Sequence, residues 1–144
     1  METLEFDFIK VVSGGLITNN SNALEEITVA TTGLKASSIF LLSKSLGWEQ
    51  KLIAKTIGTT TRTLERHVKE RKRLGINLSQ NALEVARLSS IGISYFGDVK
   101  RWNEWLNTAH TQFDGKAPKE FLHTIRGREL IKRIINGLEY GFTA

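Results

Sequence analysis

Apolar residues recur at three- and four-residue spacing along most of the chain, which is the pattern of amphipathic helices. Small polar residues precede these stretches and glycines follow most of them, as expected at helix caps. The pattern predicts helices over residues 22–32, 36–46, 48–57, 61–71 and 79–96, another after Asp98, a short one at Pro118, and a last one between Thr124 and Gly141. The predicted fold class is all-α.

The N-terminal segment follows a different pattern. Leu4, Phe6 and Phe8 alternate with Glu5 and Asp7, which is the period of a short strand. Paired glycines and paired asparagines then interrupt it. We therefore expect an extended or loosely ordered arm over residues 1–19, and its role is undetermined.

The residues between 50 and 68 have the pattern of a helix-turn-helix. Ala54 provides the small residue that two crossing helices require. Gly58 can adopt the positive φ of a tight turn. Leu64 and Val68 form a narrow apolar stripe that would hold the second helix on the first. Thr60 is the expected N-cap of that second helix.

The positive charge is concentrated on this same segment. Residues 49–73 carry eight basic and three acidic side chains, a net of +5, which equals the net charge of the whole chain. A focused basic patch is the electrostatic footprint of a nucleic-acid-binding protein. The alternatives are a solvated basic surface, or a helical hairpin without a role in DNA binding.

The second helix would be the recognition helix. Its N-terminal part is expected near the base edges, and basic residues at its other end near phosphates. Such proteins usually bind as dimers to half-sites about 34 Å apart, so we expect a homodimer on double-stranded DNA. The candidate DNA-binding residues are Thr60, Thr61, Arg62, Thr63, Arg66, Lys69, Arg71, Lys72 and Arg73.

Other kinds of chemistry have little support. The chain has no cysteine, its three histidines lack metal-ligand spacing, and neither a nucleophile motif nor a phosphate loop is present. Trp102 and Trp105 are interpreted as core residues. The acidic start and the absence of a long apolar run favour a cytoplasmic protein. We expect no cofactor, no metal and no catalytic residues.

The C-terminal half contains an ordered set of short motifs. Together with the upstream helix, they strongly resemble the Xre/MbcA/ParS antitoxin family over residues 22–144. The motifs are Thr63-Leu64-Glu65-Arg66, Arg87-Leu88, Phe96-Gly97-Asp98, Trp105-Leu106, Gly115-Lys116-Ala117-Pro118-Lys119-Glu120-Phe121-Leu122, Thr124, Gly127 and Tyr140-Gly141.

The resemblance implies a two-part antitoxin. It implies an Xre-like DNA-binding region at residues 22–75 and a toxin-binding domain at residues 76–144, after an N-terminal arm at residues 1–21. It also implies a cognate toxin encoded beside the gene, typically a RES-domain enzyme that degrades NAD or a related ADP-ribosyltransferase. Antitoxin and toxin together would repress their own operon.

In family members paired with RES toxins, the C-terminal end of the antitoxin plugs the toxin active site. A basic helix with exposed aromatic residues suits a pocket that binds a dinucleotide. Alternatively, Tyr140 and Phe142 pack on the chain's own core. The residues that would carry the role here are Arg126, Arg128, Lys132, Arg133, Tyr140, Gly141, Phe142, Thr143 and Ala144.

The sequence departs from the family pattern in three places. Residues 109–114 replace a segment in which the family more often has a Pro-Asn pair and a leucine before paired glycines. His67 replaces an arginine, and residues 1–21 are additional to the usual core. A stand-alone transcription regulator with a dimerising or ligand-sensing C-terminal half remains an alternative, and an enzyme is a poorly supported one.

Overall fold

The computed structural model of the protein describes residues 7–141, and this part of the chain is helical with no strand. The predicted all-α class is confirmed. Two short 3-10 helices, Thr111–Phe113 and Pro118–Phe121, precede the last α-helix. The α-helices are α1 (Phe8–Val12), α2 (Ala23–Thr32), α3 (Ala36–Leu46), α4 (Gln50–Ile57), α5 (Thr61–Glu70), α6 (Ile76–Phe96), α7 (Val99–Asn107) and α8 (Ile125–Glu139).

Helix α6 is the centre of the fold. It is 21 residues long and packs against α1, α2, α3, α4, α7 and α8. Its buried residues lie on several sides of the helix, which is expected of a helix enclosed by others. The buried side chains from both halves of the chain form one continuous core. The predicted boundary at residue 75 therefore divides the chain into two regions, and helices from both regions pack against α6.

The N-terminal segment differs from the predicted extended arm. Residues Phe8–Val12 form α1, in which Phe8, Ile9 and Val12 are buried against α3 and α6. These three residues share one helical face, and that packing determines the local structure. The Asp7 carboxylate caps the helix by accepting from the Lys10 amide at 3.0 Å. The Leu4 and Phe6 positions of the strand-like pattern lie outside the described residues.

Three predicted helix starts are wrong by one to three residues, because α2 begins at Ala23, α4 at Gln50 and α6 at Ile76. Asn22 is the N-cap of α2, because Asn22 and Glu25 exchange side-chain-to-backbone hydrogen bonds in a capping box. Helix α6 begins at Ile76, so Ser79 lies within its first turn. The buried Ser79 hydroxyl instead accepts from the Leu34 amide at 3.0 Å and thereby fixes the loop between α2 and α3.

Gly92 provides the space that α6 needs to pack against α7. A Cβ at this position would lie 2.4 Å from two ring carbons of Trp102, whose side chain is fully buried. Trp102 is thus a core residue, as predicted. The contact requires a residue without a side chain at position 92.

Gly92→Ala is therefore expected to destabilise the protein by about 1–3 kcal/mol, because the buried ring cannot move without disturbing its neighbours. Thermal unfolding followed by circular dichroism measures the change. Ser94→Ala, at an exposed position on the same helix, is the control and should leave the melting temperature nearly unchanged. Equal melting temperatures for Gly92→Ala and the parent would contradict this account of the packing.

Candidate DNA-binding and toxin-binding surfaces

Helices α4 and α5 form the expected helix-turn-helix. Gly58 ends α4 with a φ of 101°, a value that glycine adopts without strain. Thr60 is the N-cap of α5, as predicted, and its hydroxyl accepts from the Thr63 amide at 3.1 Å. Ala54, the small residue predicted for the helix crossing, is buried in α4. The turn predicted from sequence is therefore present with its expected caps.

Helix α5 is attached to the body through a narrow stripe. Leu64 is fully buried, whereas Val68 is 42% exposed. Within residues 7–141 the main contacts of α5 are with α3 and α4, and most of its other side chains are exposed. This is the arrangement that a recognition helix needs, since the groove-facing side chains must be free of the protein core.

The candidate DNA-binding residues lie on or next to this outward surface. Thr61 and Thr63 are half-buried at the start of α5. The exposed members of the set are Thr60, Arg62, Arg66, Lys69, Arg71, Lys72 and Arg73. Their contact with DNA remains a prediction.

Helix α5 ends at Glu70, one residue earlier than predicted, because Arg71 adopts a left-handed conformation with a φ of 57°. The guanidinium of Arg73 donates to the Gly33 carbonyl at 3.0 Å. The Lys72 ammonium lies 3.4 Å from the Glu70 carboxylate. The basic segment after α5 is thus partly engaged in contacts within the chain.

Helix α8 presents an exposed basic face at the other end of the sequence. Thr124 caps it, as predicted, by accepting from the Gly127 amide at 2.9 Å. The opposite face is buried through Ile131, Ile134 and Ile135. The exposed candidate toxin-binding residues on or beside α8 are Arg126, Lys132, Arg133, Tyr140 and Gly141.

Arg128 does not belong to that exposed face. Its side chain is 3% exposed and forms an ion pair with Glu84. It also donates to the Leu122 carbonyl at 2.7 Å and to the Asn81 side-chain oxygen at 2.9 Å. Its position in the helix places it with the buried isoleucines, so its expected role as a surface contact is corrected to a buried structural one.

The end of α8 is exposed. Tyr140 is 72% exposed, so it does not pack back on the core in the way the alternative interpretation required. Phe142, Thr143 and Ala144, which complete the predicted toxin-binding set, lie outside the part of the chain that the structure describes.

Comparison with known families identifies the C-terminal region. Residues 92–141 match the family model of the antitoxin Xre/MbcA/ParS C-terminal toxin-binding domain. This part of the chain is therefore similar to the toxin-binding domain of the Xre/MbcA/ParS antitoxins. This confirms the family resemblance, supports an antitoxin role and implies a toxin partner. No curated protein matches the chain.

An aromatic cluster forms the interior of the toxin-binding domain. Trp102 and Trp105 stack with their ring centroids 5.8 Å apart. The ring centroids of Phe96 and Trp105 lie 5.4 Å apart. Phe113 also contacts Trp105 and belongs to residues 109–114, the segment that departs from the family pattern. That segment contains a 3-10 helix in which Phe113 is buried. Its divergent sequence thus still provides a core residue.

Two asparagines that bind helix ends were not predicted from the sequence. Asn81 on α6 donates to a backbone carbonyl at the end of α4, and Asn103 on α7 donates to one at the end of α3. The only local signal was a polar residue within a mostly buried stretch.

No cluster of three histidine or acidic residues that could hold a metal occurs within residues 7–141. No helix in that range is long and apolar enough to cross a membrane.

Proposed function

We propose that this protein is the antitoxin of a type II toxin–antitoxin system whose cognate toxin is a RES-type enzyme that degrades NAD. The antitoxin neutralises the toxin by occluding its active site and represses its own operon by binding DNA. The match of residues 92–141 to a toxin-binding domain is the observation that carries the proposal. The protein acts in the cytoplasm by binding, without a cofactor.

The exposed end of α8 supports the mode of neutralisation. Lys132 and Arg133 place positive charge along the helix, and Tyr140 adds an exposed aromatic ring near its end. A site that binds NAD must accommodate phosphate groups and flat rings, so a cationic and aromatic segment complements it. We propose this segment, continuing into residues 142–144, as the part that enters the toxin.

The free surface of α5 supports DNA binding. Arg62 and Arg66 are exposed and lie one helical turn apart, so they share a face. Arginine pairs well with guanine edges and with phosphates. Since helix-turn-helix proteins usually bind two half-sites, we propose that the repressor is a homodimer.

Co-purification with the product of the adjacent gene tests the antitoxin role. The tagged full chain is expected to form a stable complex with that product, and the partner is expected to consume NAD alone but not in the complex. A stable complex whose partner leaves NAD untouched would retain the antitoxin role and reject the RES assignment. DNA binding without any complex would favour the stand-alone regulator.

A further inference from the structure

The C-terminal end of α4 is held by a residue outside the helix-turn-helix. Asn81 on α6 donates its side-chain N–H to the Ile57 carbonyl at 3.0 Å. Ile57 is the last residue of α4, and carbonyls in the last turn of a helix lack a partner within that helix. The bond therefore fixes the point at which the chain turns towards α5.

Asn81 is itself held in a single orientation by α8. Its side-chain oxygen accepts from the Arg128 guanidinium at 2.9 Å while its nitrogen binds Ile57. An amide rotated by half a turn would place like groups opposite each other at both contacts. Arg128 is almost fully buried and has further bonds to Glu84 and to the Leu122 carbonyl. The chain of contacts thus runs from α8 through α6 to the turn.

A second contact with the same chemistry lies on α7. Asn103 donates to the carbonyl of Leu46, the last residue of α3, at 2.8 Å. Its side-chain oxygen accepts from the Trp48 indole N–H, also at 2.8 Å. At two helix ends, therefore, a side-chain amide from the C-terminal half binds a terminal carbonyl of the DNA-binding region.

We propose that Asn81, oriented by Arg128, is a positioning residue for DNA recognition. The turn from Gly58 to Thr60 sets the direction of α5, and Leu64 is the residue of α5 that is fully buried. A helix with so narrow an attachment depends on the turn before it for its orientation. The inference rests on the proposed DNA-binding function and assigns part of it to residues outside the helix-turn-helix.

Asn81→Asp tests this assignment, because the substitution is expected to keep the hydrogen bond with Arg128 and to lose the one with Ile57. The aspartate retains an oxygen that accepts from Arg128, but it loses the donor to Ile57 and places an oxygen opposite the carbonyl. We expect the full chain to bind a duplex of its own promoter on the order of tenfold more weakly, the effect of one lost hydrogen bond. Toxin affinity is expected to stay unchanged.

Backbone amide exchange provides a readout that a general loss of stability would not reproduce. The Gly58 and Thr59 amides both donate to the Ala54 carbonyl within the turn. We expect them to exchange faster in Asn81→Asp. Ile135→Val, a conservative change in the buried face of α8, is the control for stability. All variants are compared at a temperature at which each is fully folded.

The possible results separate the inference from the proposed function. Weaker promoter binding with faster exchange at Gly58 and Thr59, both absent in the control, would support the positioning role. Unchanged promoter affinity, or an equal loss in the control, would overturn it. If the parent chain does not bind the promoter, DNA binding itself fails, and exchange then shows only whether Asn81 fixes the turn.

Discussion

Replacing Arg62 and Arg66 together with alanine is expected to weaken promoter binding roughly a hundredfold or more, while toxin binding is unchanged. Each arginine that pairs with a base edge contributes about 1–3 kcal/mol, and the two share the exposed face of α5. Neither side chain belongs to the buried core, so stability should change little. Fluorescence anisotropy with a labelled promoter duplex measures the affinity.

The matched control removes the same charge from other exposed positions. Lys10→Ala with Lys100→Ala changes α1 and α7 and leaves the helix-turn-helix intact. A loss specific to α5 should also reduce the dependence of affinity on salt, because fewer counterions are released. Equal losses in both double variants would indicate binding through net charge alone. Loss of both DNA and toxin binding in a chain that still unfolds cooperatively would contradict two separate surfaces.

The part of the chain that contains the helix-turn-helix was predictable because its helix ends depend on local residues. Gly47 and Gly58 end α3 and α4, and Thr60 caps α5, so neighbouring residues determine these boundaries. The prediction failed where tertiary packing determined the result. The alternating segment around Phe8 reads as a strand, but burial against α3 and α6 makes it helical.

The candidate site was predictable only in part. Exposure of Arg62 and Arg66 followed from the narrow apolar stripe of α5. Arg128 was assigned to toxin binding because of the family resemblance, although helical spacing places it with Ile131 and Ile135. Its partner Asn81 lies 47 residues earlier, and no local pattern indicates a pairing over that distance. Long-range hydrogen bonds of this kind require the folded structure.

The shared helix α6 has a consequence for the design of variants. Because α6 packs against both α4 and α8, changes in the core are expected to impair both proposed activities. Residues on the outer faces of α5 and α8 lie away from this shared packing, so changing them can separate DNA binding from toxin binding without disturbing the core. Variants at these faces therefore give the cleanest test of the two-part function.

Deleting residues 139–144 is expected to weaken neutralisation of the toxin severely while sparing DNA binding. If this segment occludes the toxin active site, it contains anchor residues of the kind whose removal costs at least about 2 kcal/mol, roughly thirtyfold in affinity. Of the deleted residues that the structure describes, Glu139, Tyr140 and Gly141 are all exposed. The melting temperature should therefore change little.

Single variants at the C-terminal end of α8 identify which of the deleted residues bind the toxin. Tyr140→Ala should reproduce much of the loss if the aromatic ring enters the toxin, whereas Glu139→Ala, at the neighbouring exposed position, is the control. Toxin affinity and residual NAD consumption in the complex are measured for each variant. Full protection from the toxin by the truncated chain would refute occlusion by the C-terminal end. Neutralisation would then have to depend on the remaining exposed face of α8, with Lys132 and Arg133 as the next residues to replace.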